Sequence, residues 1–286
     1  MFRFGLSTDG LNFHAKKFLG HSHIGINKSA ENQESRIGLV VDVETTGFDR
    51  QQDEIIEIAA RLFCFNRIDG SIVWIGNAFE ALNQPEKPID AIIEKVTGLR
   101  NEDLEGHKIN WPDFDHLAKQ ADIIIAHNAA FDRQFIERYT DSTKDKIWGC
   151  SFEQIDWSDF PSAKLVILSL CHGFFYDSHR ALNDIDALIH LISMKPVQSQ
   201  NTYLVEILRE ARKKRCWVHV INSVIETKEL LRKNGYRWVY ETKFWRKKIC
   251  IDDLETEKKF LNAEVNLNAD LVIEVVEIPH MDNFKD

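Results

Sequence analysis

From Ile37 onward the chain shows apolar runs of strand length separated by turn residues. The segment Gly38–Glu44 begins as a continuous apolar run and then alternates with acidic residues, which indicates a central strand reaching a polar edge. Asp69-Gly70 marks a turn between two further apolar runs. The pattern therefore predicts strands at 38–44, 53–65, 71–82 and 121–126, with a short one near Trp148.

Segments in which apolar residues recur at helical spacing follow the first three strands. Three strands first, then strands and helices in alternation, predict an α/β fold, a mixed sheet flanked by helices. The expected helices are 88–96, 111–119, 129–139, 162–172 and 180–194.

A change of pattern suggests a domain boundary near residue 196. Lys195-Pro196 is followed by the polar residues Gln198-Ser199-Gln200-Asn201, and a helix is predicted next at 202–214. Beyond it the order strand, helix, hairpin, helix, strand predicts a small α+β domain of the split-βαβ type. We expect an N-terminal extension over 1–36, a first domain over 37–196 and a second over 210–280.

Charge is distributed unevenly along the 286 residues, whose formal net charge is −9. Residues 209–248 contain 13 Lys or Arg and 4 Glu, a local balance of +9, so the remainder carries −18. A basic block inside an acidic protein leaves a polyanionic partner open.

Cysteine usage and hydropathy limit the cellular compartments and the kinds of site that fit this chain. Five widely spaced cysteines without a Cys-x-x-Cys pair disfavour a disulfide framework and a zinc site. No apolar stretch is long enough for a membrane span, and polar residues interrupt the N-terminus before a signal-peptide core could form. We expect a cytoplasmic protein with no membrane partner.

Two acidic residues at the end of the first predicted strand suggest a metal site. Asp42 and Glu44 are two apart, so both side chains emerge on one face of the strand. Paired carboxylates repel unless a cation lies between them, and oxygen ligands suit Mg²⁺ or Mn²⁺. The alternative is a strand end that carries two solvated acids.

Two later patches add polar residues near the same predicted sheet edge. Asp132 follows the strand at 121–126, which would place it near the carboxyl edge of the sheet. The alternative is an ordinary aspartate at the start of a helix, where the helix dipole favours it. Phe131 alone is typical of a core residue. His179 and Asp184 are five apart, about 140° on a helix, so they converge only if His179 precedes the helix. Alone, His179 would be a surface or capping histidine.

Together the three patches resemble the DEDDh exonuclease family, which includes the proofreading epsilon subunits of bacterial replicative polymerases. The matching motifs are Val41-Asp42-Val43-Glu44-Thr45-Thr46-Gly47, His127-Asn128-Ala129-Ala130-Phe131-Asp132 and His179-Arg180-Ala181-Leu182-Asn183-Asp184. The resemblance covers about Ile37 to Met194 and implies a ribonuclease H-like fold and metal-dependent 3′→5′ exonuclease activity.

The resemblance also implies a role for each motif residue. Asp42, Glu44 and Asp184 would ligate two divalent ions, with Asp42 bridging, and Asp132 would hold the second ion through water. His179 would be the general base, and the product a nucleoside 5′-monophosphate. Four further residues would hold the terminal nucleotide: Thr45, Thr46, Asn128 and Phe131.

The basic block interleaves cations with aromatic residues, a composition that suits phosphate contacts and base stacking. The alternative is that Trp238 and Trp245 face each other across a hairpin and form a small core. Residues 226–238, continued by Lys243-Phe244-Trp245, resemble an accessory module attached to some bacterial DNA-processing enzymes.

Substrate and partners are open at this level. The accessory module favours a single-stranded DNA 3′ end as the substrate. One alternative is an exoribonuclease with the same site. The other is a catalytically silent subunit that binds nucleic acid or associates with a polymerase. A DNA polymerase is a candidate partner, because the chain has no recognisable polymerase domain. Gln200-Asn201-Thr202-Tyr203-Leu204 faintly resembles peptides that dock on sliding clamps, although a linker entering a helix explains it as well.

Overall fold

The computed structural model describes residues 15–21, 26–197, 199–266 and 270–285. The chain divides into two compact units. The first ends at Ala211 and also includes Phe284 and Lys285 from the C-terminus, and the second spans Arg212–Asn283. None of the helices in the described ranges is long and apolar enough to span a membrane.

The first unit is built on a five-stranded mixed sheet of order β4-β3-β2-β5-β6. The first three strands of this sheet pair antiparallel, and the last two run parallel to the central strand. A separate two-residue ladder joins β1 and β7. The strands are β1 (Lys16–Lys17), β2 (Ser35–Thr45), β3 (Ile55–Asn66), β4 (Ile72–Leu82), β5 (Ile123–Ala126), β6 (Ile147–Cys150) and β7 (Phe174–Phe175).

Helices cover both faces of this sheet and confirm the predicted α/β class. Because alternate residues of β2 face opposite sides, Val40 packs with one apolar cluster while Leu39 and Val41 pack with the other. The helices are α1 (Ala91–Thr97), α2 (Asn101–Leu104), α3 (Trp111–Gln120), α4 (Ala129–Ile136), α5 (Ser151–Gln154), α6 (Leu165–Cys171), α7 (Ala181–Ile192) and α8 (Tyr203–Ala211).

Helix α8 lies in the first unit, beyond the domain end expected at residue 196. Its apolar face packs into the same cluster as α6 and α7, so burial extends the unit to Ala211. Tyr203 is 5% exposed and Leu204 is fully buried, so the segment that suggested a clamp-docking peptide cannot act as an exposed one. The linker-and-helix interpretation of these residues is the correct one.

Part of the predicted N-terminal extension is integrated into the first unit. Lys16 and Lys17 pair with β7, and the Phe18 ring stacks on His190 with 4.6 Å between ring centroids. Contacts between residues so far apart in the chain leave no periodic pattern in the sequence. The sequence therefore predicted residues 15–21 as part of an extension. The rest of that interpretation, over 1–14 and 22–25, lies outside the described residues.

The second unit is a four-stranded antiparallel sheet of order β11-β8-β10-β9 with helices on one face. This arrangement confirms the small α+β fold. Trp238 and Trp245 face each other across the hairpin edge to face, with 5.5 Å between ring centroids, as the core interpretation predicted. Only Trp245 belongs to the core, because Trp238 is 37% exposed. The elements are β8 (Arg215–Ile221), α9 (Lys228–Lys233), β9 (Arg237–Val239), β10 (Phe244–Cys250), α10 (Leu254–Phe260) and β11 (Val272–Ile278).

Candidate active site

Three carboxylates converge where β2 leaves the sheet and α7 begins. Asp42 and Glu44 lie on one face of β2, and Asp184 lies in the first turn of α7. One oxygen from each can be chosen so that all three lie within 4.8 Å of one another. Oxygen atoms this close form a ligand set that suits a hard divalent cation.

Two hydrogen bonds hold the carboxylate of Asp184. The Tyr176 hydroxyl donates to Oδ1 at 2.7 Å, and the backbone N–H of His179 donates to Oδ2 at 2.8 Å. His179 has φ 66°, a left-handed conformation that places it in the loop before α7. Its side chain is exposed, beside the three carboxylates rather than among them.

Asp132 lies next to this cluster but outside the close group of three. It is 2% exposed on α4, and its Oδ1 accepts a hydrogen bond from the backbone N–H of Val43 at 3.1 Å. Because Val43 sits between Asp42 and Glu44, this bond ties α4 to the acidic end of β2. The tie keeps a fourth carboxylate at the same edge of the sheet.

Burial disfavours ionisation of all four acids, and repulsion from neighbouring carboxylates adds to this effect for Asp42, Glu44 and Asp132. Burial, reinforced by neighbouring carboxylates, raises the pKa of Glu44 to about 8. Burial likewise raises the pKa of Asp132 to about 8, although backbone N–H donors oppose the rise. The pKa values of Asp42 and Asp184 are raised for the same first cause. A bound cation would reverse this penalty, so the residues present fit a divalent metal.

A buried ion pair supports the start of α7, and sequence reasoning missed it. The Glu57 side chain is fully buried and pairs with Arg180, whose Nη2 lies 2.8 Å from Oε1. The backbone N–H of Ala181 donates to the other Glu57 oxygen at 3.1 Å. Glu57 also lies opposite Glu44 in the ladder between β2 and β3. The available sequence signal was a charged residue in a strand that is apolar apart from one other charge, Arg61.

The predicted nucleotide-contacting threonines lie at the end of β2. Thr45 is the last residue of the strand, and Thr46 begins the loop that follows, here called the threonine loop. The Thr45 hydroxyl donates to the Gly47 carbonyl at 2.6 Å, and the Thr46 hydroxyl donates to Asp53 at 2.9 Å. A side chain at position 47 would collide with Asp53, because an added Cβ would lie 2.4 Å from its Oδ2. Both hydroxyls are therefore engaged within the loop and hold its backbone in place.

Asn128 and Phe131 lie at the beginning of α4. Asn128 is exposed and left-handed, with φ 75°, at the turn from β5 into the helix. Phe131 is half-buried and meets Phe48 edge to face, with 6.1 Å between centroids. Phe48 is 87% exposed, an apolar ring beside the threonine loop that sequence reasoning did not select. The two rings form an apolar surface that a nucleobase could contact.

The protein family described as exonuclease matches residues 39–192, which contain every residue of this cluster. The chain belongs to the exonuclease family. The DNA polymerase III subunit epsilon of Aquifex aeolicus is 30% identical over 157 residues, covering 51% of this chain and 73% of that protein. The PolC-type DNA polymerase III of Caldanaerobacter subterraneus subsp. tengcongensis is 29% identical over 221 residues, covering 68% of this chain and only 14% of that protein.

Solved structures of exonucleases resemble this member of the family at low identity. Exonuclease I is 18% identical with a TM-score of 0.49, covering 65% of this chain and 48% of that chain. Exonuclease X in complex with 5′ overhanging duplex DNA is 22% identical with a TM-score of 0.41, covering 53% of this chain and 86% of that chain.

Proposed function

We propose that this exonuclease removes nucleotides from DNA 3′ ends in a metal-dependent reaction and releases nucleoside 5′-monophosphates. The observation that carries the proposal is the convergence of Asp42, Glu44 and Asp184 oxygens within 4.8 Å, with their ionisation disfavoured until a cation arrives. Asp132 is a fourth acid, buried beside these three. A buried carboxylate needs a partner or an ion to offset its desolvation, which distinguishes this cluster from solvated acidic residues on a protein surface.

The proposed cofactor is a pair of divalent ions, Mg²⁺ or Mn²⁺. Asp42, Glu44 and Asp184 would hold them, and Asp132 would contribute to the second ion through water. When bound, such a pair would neutralise the charge that develops on the phosphate and stabilise the leaving oxygen. Tyr176 and the His179 backbone would keep the Asp184 carboxylate oriented toward the ions.

His179 would act as the general base and accept a proton from the attacking water. Its exposed side chain, in the loop before α7, is free to approach a substrate phosphate and to release the proton to solvent. The Glu57–Arg180 pair directly after it anchors the loop end. The backbone of His179 is thereby supported from one side, while its ring is exposed.

The terminal nucleotide would lie between the threonine loop and α4. The loop backbone at Thr45 and Thr46 would approach its sugar and phosphate, Phe131 would contact its base, and Asn128 would offer an exposed amide. A pocket that bars or accepts the 2′-hydroxyl would decide between DNA and RNA.

The cellular role that we propose is proofreading or repair in the cytoplasm. The relatives named as DNA polymerase III support a DNA substrate and a polymerase as partner.

A degradation assay tests the proposal. Single-stranded DNA and RNA of one sequence, labelled at the 5′ end, are incubated with Mg²⁺, Mn²⁺ or a chelator. We expect a ladder that shortens from the 3′ end only with metal, and faster with DNA. Asp42→Asn should abolish the ladder, while Glu105→Gln, at an exposed glutamate away from the cluster, should not. Undiminished cleavage by Asp42→Asn would refute the metal assignment, and faster RNA degradation would reassign the substrate.

A further inference from the structure

The second unit contains a cavity of about 330 Å³ beside the β9–β10 hairpin. Its walls combine aromatic and aliphatic side chains with two cations, and none of the described residues that line it has a carboxylate. A cavity of this size is sufficient for a small organic group. The principal lining residues are Ile225, Lys228, Arg232, Trp238, Tyr240 and Trp245.

Several large apolar side chains at this cavity are exposed and do not belong to the core of the second unit. Trp245 is 6% exposed and belongs to the core, but Trp238 is 37% exposed and Tyr240 is 80% exposed. Ile225, on the same cavity, is 79% exposed. Three large apolar side chains exposed at one cavity form a binding surface rather than a scatter of single surface residues.

The charges around the cavity are complementary to a phosphate. Lys228 and Arg232 are both exposed, one turn apart on α9, so they lie on one side of the helix. Arg232 contacts Glu229 at 2.8 Å, but both partners are more than half exposed, and such surface pairs are weak. A phosphodiester could therefore replace the glutamate as the partner of the guanidinium.

We propose that this cavity binds single-stranded nucleic acid, with a base stacked on Tyr240 or Trp238 and adjacent phosphates held by Lys228 and Arg232. Aromatic rings beside cations recognise a strand without regard to its sequence, because every base has a flat face and every linkage has a charge. The choice of nucleic acid as ligand rests on the proposed exonuclease function. The site would retain a strand on a chain that also carries the nuclease domain.

Binding is tested with the full chain and a chelator, so that cleavage cannot contribute. The probes are fluorescent single strands of DNA and RNA and an abasic strand that has the phosphates without the bases. We expect Tyr240→Ala to weaken binding of the normal strands about tenfold, while Tyr240→Phe, which keeps the ring, binds as wild type. The abasic strand should bind weakly and should not distinguish the two variants.

The cationic side is tested by a matched pair of double variants. Lys228→Ala/Arg232→Ala should weaken binding about tenfold. It should also reduce the slope of log K against log [salt] by about 1.4 in magnitude, or about 0.7 for each lost phosphate contact. Lys233→Ala/Lys259→Ala removes two exposed charges of the same unit outside the cavity and should change binding much less. Equal losses in the two double variants would mean general charge attraction and would overturn the site.

A tryptophan on the other face of the sheet provides a further control. The Trp217 ring is covered by Arg246 and Lys248, at 4.5 Å and 5.4 Å from its centroid. If Trp217→Ala loses binding while Tyr240→Ala does not, the strand lies on that face and the proposal is wrong. Metal-dependent cleavage of a short oligonucleotide by wild type, measured separately, reports on the nuclease function alone.

Discussion

The acidic cluster should destabilise the metal-free protein, and Glu44→Gln should relieve part of that destabilisation. The pKa of the Glu44 carboxyl rises from 4.5 to about 8 in the folded chain, because burial and the neighbouring carboxylates disfavour its charge. Between these values the folded state binds more protons than the unfolded state. The free energy of unfolding therefore falls as pH rises through this window, by at most about 1.4 kcal/mol per pH unit.

The full rise in pKa would correspond to about 5 kcal/mol above pH 8, which is an upper limit. Glu44 is partly open to solvent, so water relaxes the penalty, and we expect a gain of about 2 kcal/mol from Glu44→Gln. For a unit of this size that corresponds to about 4–8 °C in Tm. Near pH 4.5 the folded carboxyl is largely protonated already, so the gain should nearly vanish there.

Thermal unfolding in a chelator and in excess Mg²⁺, at about pH 5 and pH 8, measures these effects. Wild type should gain more from Mg²⁺ than Glu44→Gln, because the variant has lost a ligand. The control Glu105→Gln should leave Tm within about 1 °C of wild type, since that side chain is exposed. A Tm for Glu44→Gln that equals or falls below wild type at pH 8 in the chelator would refute the reasoning.

Three further predictions concern residues around the cluster. His179→Ala should lower kcat about 10²- to 10⁴-fold while leaving Tm unchanged, because its ring is exposed; steady-state nucleotide release checks this, and full activity would remove it as the base. Tyr176→Phe should weaken metal binding about tenfold by releasing Asp184, as measured by metal titration, and unchanged affinity would show that the bond has no such role. Arg180→Ala should destabilise the fold by about 2 kcal/mol by leaving Glu57 buried and unpaired, less than for a fully buried pair because Arg180 is half-exposed. Unfolding in denaturant measures that loss, and Glu57→Gln added to Arg180→Ala should restore part of it.

The sequence by itself determined the mixed α/β architecture and the split-βαβ order of the second unit. Strand and helix periodicities are local properties, so they could be counted along the chain before any contact was known. The positions of the acidic motifs followed for the same reason: two residues on one strand share a face, and a residue after a strand lies at its edge. The roles of Asp42, Glu44, Asp132, His179 and Asp184 stay predictions until activity is measured.

Only the tertiary structure decided which distant residues support the cluster. Tyr176 reaches Asp184 and Glu57 reaches Arg180 through hydrogen bonds, and the second pair spans 123 positions of the chain. Helix α8 likewise belongs to the first unit because its apolar face packs into the same cluster as α6 and α7. The sequence alone does not show which apolar surface a helix will contact. Such pairings are set by how layers pack against one another, and local patterns carry no record of the partner.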